Sequence, residues 1–155
     1  MKKLNYYFLL LILQFALAGH GRADHTEHGI ITVSSKYSVV ETADRLESLL
    51  DKKGFTIFAR VKHSESASKV GVELRPTELV IFGNPKVGSK IMKCQQSVAI
   101  DLPQKALVWQ DENDEVWFSY NDMDYLANRH HIKGCEKVIK KVKGALAKFA
   151  NVVTN

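Results

Sequence analysis

The side chains best placed to do chemistry lie in two short turns and one histidine pair. Asn84 sits in Phe82-Gly83-Asn84-Pro85, Asp101 in Asp101-Leu102-Pro103, and His130-His131 shortly before Cys135. An amide, a carboxylate and an imidazole gathered at one corner can orient a small ligand without covalent catalysis. A neutral imidazole beside a thiolate can instead hold a soft metal ion, which would make His130, His131 and Cys135 a metal or redox set. Each residue also has a plainer reading. Asn84 caps a helix, Asp101 satisfies loop N–H groups before Pro103, and His130 closes a short helix on a backbone carbonyl. Trp109 and Trp117 either line a pocket or pack across a sheet.

No catalytic signature accompanies these residues. The chain has no G-x-S-x-G, no H-E-x-x-H and no phosphate-binding glycine loop. The acidic run 111–115 reads as a solvated hairpin turn. His25 and His28, with Asp24 and Glu27, offer only a weak metal site in a flexible tail, without the outer support that fixes ligands. The leading expectation is a domain that binds a small ligand or metal, with residues Asn84, Asp101, His130 and Trp109 at the site. A metal- or thiol-dependent enzyme built on His130, His131 and Cys135 is the alternative. A structural or envelope interaction protein is the third. No particular cofactor is indicated.

The elements that must position these residues are legible from periodicity. Ile30–Ser34 reads as a first strand. Ser38 to Glu41 has the spacing of a capping box, and Val39, Ala43, Leu46 and Leu50 follow on one helical face. Lys52-Lys53-Gly54 ends that helix. In 55–61, Phe55, Ile57, Ala59 and Val61 alternate with Thr56, Phe58 and Arg60, a half-buried strand. The polar stretch 62–71 reads as a loop, with a helical turn as the alternative. Leu79–Phe82 is a third strand that runs into a helix: Asn84 caps it, and Pro85 suits its first position because the missing N–H has no partner there. Ala106–Trp109 and Val116–Tyr120 form a hairpin, 123–128 a short helix, and the residues after Gly134 a long one with lysines on its outer faces. The closely spaced late strands must be antiparallel, so the fold class is α+β, a sheet with helices on one face.

The first 23 residues stand apart. A basic start, an apolar run from Tyr6 to Ala18 and small-residue sites ending at Ala18 or Ala23 have the anatomy of a cleaved signal peptide. The run is shorter than the roughly 20 residues a spanning helix needs, so no membrane anchor is expected after cleavage. Export places the protein in the periplasm or outside the cell. Residues 24–29 then form a flexible N-terminus, 30–150 one domain and 151–155 a tail. Removing Lys2, Lys3 and Arg22, and no acids, lowers the net charge from +5 to +2. A domain so nearly neutral lacks the footprint of a nucleic-acid binder. Cys94 and Cys135 read either as one disulfide, favoured in an oxidising compartment, or as two buried thiols.

The segments LRPTELVIFGNPKVGSKIM, AIDLPQKALVW and VWFSYND, followed by LANRH, resemble the DUF302 family of small proteins. The resemblance extends from about Ile30 to Ala150. It implies a strand–helix–four-strand–helix order like that of the TATA-binding-protein-like fold, and pairing as a homodimer. It implies no activity and no contact with DNA. Family members commonly carry one histidine after the short helix. Here there are two, His130 and His131, and the resemblance alone does not choose between them.

Overall fold

The computed structural model describes residues 25–155. The expected signal peptide, residues 1–23, lies outside them. Six strands form one antiparallel sheet in the order β1-β2-β6-β5-β4-β3: β1 His25–Glu27, β2 Ile30–Ser35, β3 Thr56–Lys62, β4 Thr77–Gly83, β5 Gln104–Gln110 and β6 Val116–Asn121. The helices are α1 Val39–Lys52, α2 His63–Ser68, α3 Pro85–Cys94, α4 Met123–Arg129 and α5 Glu136–Thr154, with a 3-10 helix at Gln96–Ile100. This is the expected α+β order. No helix among the described residues is long and apolar enough to cross a membrane.

Strand alternation divides the sheet into two faces. Ile31, Val33, Phe118, Tyr120, Ala106, Val108, Val80 and Phe82 point to the helices and join Ala43, Leu46, Leu50 of α1 and Ile139, Leu146, Phe149 of α5 in the core. Thr32, Ser119, Trp117, Leu107, Trp109, Leu79, Ile81, Ala59 and Val61 form the other face by the same registers. The helix starts obey the capping rules: Ser38 Oγ accepts from Glu41 N at 3.2 Å, and Asn84 Oδ1 from Lys86 N at 3.0 Å.

Three local readings are corrected. A bulge between Ile57 and Ala59 breaks the alternation expected in β3. The extra residue, Phe58, is left unpaired, and Arg60 rather than Ala59 turns toward the helices. Within 24–29, His25–Glu27 pairs with β2 through a two-residue turn whose His28 and Gly29 both have positive φ, a geometry that follows the sheet's twist. Gly29 is required there twice over, because a Cβ would lie 2.2 Å from the Tyr125 ring. Residues 151–154 continue α5 instead of forming a tail, and Val153 is fully buried. The segment 62–71 contains the helical turn, as α2.

Candidate functional site

β4 ends at Gly83 and turns directly into α3. Because α3 is short and inserts only Ile91 fully into the core, it stands off from α5 over part of its length. The space left is a cavity of about 310 Å³ between α3, α5, the end of the sheet and the loop at Leu102-Pro103. Phe55, Phe82 and Phe149 form an edge-to-face cluster in its wall, with Phe55 and Phe149 centroids 5.3 Å apart at 84°. Val87, Met92, Val142 and Leu146 line it from the two helices, and the bulged Phe58 borders it. At the far end of α3 a disulfide joins Cys94 to Cys135, the residue before α5, across a Cα–Cα distance of 6.3 Å. The two helices that frame the cavity are therefore covalently clasped at one end.

Gln104 also lines the cavity and is 8% exposed. Its Nε2 donates to Met123 Sδ at 3.2 Å, while its Oε1 has no hydrogen-bond partner. Among the described residues it is the buried side-chain polar atom left unpaired, a cost of the kind folded proteins avoid. A ligand with one hydrogen-bond donor would meet a mostly apolar wall carrying this acceptor.

Beside the cavity, the 3-10 helix and the end of α4 meet. His130 Nε2 lies 2.5 Å from Asp101 Oδ2, and His130 Nδ1 lies 3.1 Å from Ser97 Oγ. Arg129 Nη1 donates to Asp101 Oδ1 at 3.3 Å. Of the two histidines, His130 is buried and bonded, while His131 is exposed with a φ of 52°. Ser97 has no local sequence pattern that marks it; only the turn brings it to the ring. The chain Ser97–His130–Asp101 orders the loop whose neighbours Ala99, Leu102 and Pro103 line the cavity.

The expected site residues thus separate. Asp101 and His130 converge, Asn84 borders the cavity while capping α3, and Trp109 lies on the opposite face of the sheet. There Trp109 stands directly across from Trp117, ring centroids 6.5 Å apart, with its Nε1 donating to Ser119 Oγ at 3.0 Å. Cys135 is bonded to Cys94, so its sulfur is not a thiolate that could join His130 and His131 on a metal. Among the described residues no group of three or more His, Cys, Asp and Glu side chains is arranged to hold a metal ion.

Residues 31–149 match the family described as domain of unknown function DUF302. The chain is a DUF302 protein. A crystal structure of an uncharacterized conserved DUF302 protein from Bacillus stearothermophilus has the same fold, with a TM-score of 0.74 at 19% identity, covering 83% of this chain and 100% of that one. Proteins named fluoride-specific ion channel FluC 1, from Brucella suis and Brucella abortus, are 41% identical over 106 residues, 68% of this chain. The match spans 42% of the first and 39% of the second, so this DUF302 chain corresponds to less than half of either relative.

Proposed function

We propose that this DUF302 domain binds a small, mostly apolar molecule between α3 and α5. The observation that carries the reading is the cavity of about 310 Å³ with its aromatic wall. That volume falls at the lower end of the roughly 300–1,000 Å³ typical of ligand sites. The His130–Asp101 pair supports the reading by fixing the loop at the cavity's edge. Ion conduction is not carried over from the channel relatives, whose matched part is a minority of their length and whose counterpart here has no spanning helix among the described residues. The test is a fluorescence titration with the neutral apolar probe N-phenyl-1-naphthylamine. The expected result is saturation at one site per chain; emission that rises linearly with no plateau contradicts the reading.

Two further properties belong to the same proposal. Export is supported by the leader and by the Cys94–Cys135 disulfide, which persists in oxidising compartments. Its check is N-terminal sequencing of protein recovered outside the cytoplasm, expected to begin after Ala18 or Ala23. Pairing with a second copy is supported by the helix-free face carrying Leu79, Ile81, Leu107, Trp109 and Trp117. Sedimentation equilibrium is expected to give twice the chain mass; a monomer at all concentrations contradicts it.

A further inference from the structure

The cavity's wall is apolar, but its mouth is not neutral. Among the described residues that line it, Lys141 is the one charged side chain. The two helices that frame it share this character. α3 carries Lys86, Lys90 and Lys93 and no acid; α5 carries Lys137, Lys140, Lys141, Lys143 and Lys148 against a single acid, Glu136. Glu136 is engaged at the helix start, where it accepts from Gly134 N at 2.8 Å. Lys143 is paired with Asp124. None of the other lysines of these helices is in an ion pair among the described residues. The near-neutral charge of the domain therefore hides a local asymmetry: two lysine-rich helices frame a mostly apolar hole, and Lys141 stands at it. Such an arrangement concentrates anions at the opening.

We infer that the ligand is an anionic amphiphile of the carboxylate class, with one medium-length alkyl chain in the cavity and its carboxylate at Lys141. The inference rests on the binding reading above and names its ligand class. The alkyl chain meets the phenylalanine cluster and the helix side chains, where burial of each methylene is favourable. The carboxylate stays at the solvated mouth, so it incurs little burial cost and gains from Lys141. A single chain suits a cavity of this size, whereas a two-chain lipid exceeds it. An anionic bilayer surface presents negative charge from another source, and the test separates the two.

The experiment uses the mature protein loaded with N-phenyl-1-naphthylamine and displaces the probe with decanoate or 1-decanol. The expected result is displacement by decanoate at a concentration about three- to fivefold below that of decanol, the scale of one exposed charge contact. Lys141→Gln removes that preference by weakening decanoate alone, and raised salt does the same. Equal potency of the two compounds, or a preference unchanged in Lys141→Gln, overturns the inference while leaving the apolar site standing. Binding to phosphatidylglycerol vesicles without displacement by decanoate overturns it in favour of a membrane surface. Failure of the probe itself to bind ends the binding reading, and this inference with it.

Discussion

His130 Nε2 and Asp101 Oδ2, 29 positions apart in sequence, meet at 2.5 Å and tie the end of α4 to the loop leaving the 3-10 helix. His130 is 9% exposed, so its ring polar atoms have few solvent alternatives. His130→Ala removes both the Asp101 and the Ser97 contacts and is expected to cost about 1–3 kcal/mol in urea unfolding. His131→Ala, at an exposed position, is expected to change stability by less than about 0.5 kcal/mol. Because Ala99, Leu102 and Pro103 line the cavity, His130→Ala should also weaken probe binding. Equal effects of the two alanine variants would contradict this account of the pair.

A second prediction concerns Arg60, which the β3 bulge turns inward. Its Nε lies 2.5 Å from Glu78 Oε2, and its Nη1 reaches Asp44 and Glu47 of α1. Burial works to lower the guanidinium pKa, but its hydrogen bonds to Asp44, Glu78 and Glu47 outweigh it and raise the pKa above its ordinary value. Glu78 is 4% exposed. Arg60→Met strands that carboxylate and is expected to cost about 3–5 kcal/mol, whereas Arg60→Met with Glu78→Leu recovers most of the loss. Denaturant unfolding of the single and double variants measures both.

How much of this was legible follows from particular residues. Asn84 and Pro85 announced the strand-to-helix turn because capping is a local hydrogen bond. The apolar stripes of α1 and α5 announced the helical layer because burial repeats every turn. The bulge at Phe58 was not legible: Thr56–Val61 alternates cleanly, and only pairing with β4 shows the extra residue. Ser97 was not legible either, because its partner lies 33 positions away. Residue type leaves Trp109 either lining a pocket or packing across the sheet, and register with Trp117 decides for the second. The cavity has no signature at all, since it is the space left where a short α3 fails to close on α5.

The disulfide supplies a third prediction. Cys94 and Cys135 are 41 positions apart, and closing such a loop stabilises the fold by about 3–4 kcal/mol on the loop-entropy account. Native protein is expected to show no titratable thiol until reductant is added. Reduction should lower the melting temperature and loosen α3, weakening probe binding. A Cys94→Ser, Cys135→Ser double variant with unchanged melting temperature and affinity would contradict the clasp.

A fourth prediction concerns acid. Asp111 begins the β5–β6 turn and accepts from Trp117 Nε1 at 2.8 Å, Asn113 N at 2.9 Å and Glu115 N at 3.0 Å. The Trp117 bond first, and the two backbone bonds after it, hold its carboxyl below the ordinary carboxylate value. A depressed folded pKa gives stability that is fully present above the unfolded value and is lost as pH falls through the folded one. Asp111→Asn should therefore remove part of the acid-limb loss below about pH 4, the ordinary carboxylate range. Melting curves of both proteins between neutral and acid pH check it; identical pH profiles would contradict it.

The central claim is that the space between α3 and α5 is a binding site, and Gly88 offers the most direct test. It lines the cavity, and a Cβ placed there meets nothing within 4 Å. Gly88→Met therefore fills the space without a backbone clash, and removing a helical glycine adds about 0.5–1 kcal/mol of stability. The measurement is saturation binding of N-phenyl-1-naphthylamine to the wild-type protein and to Gly88→Met. The account predicts one saturable site in the first and none in the second, with the variant folded at least as stably. Equal binding by both proteins, or no saturable binding by either, would contradict it.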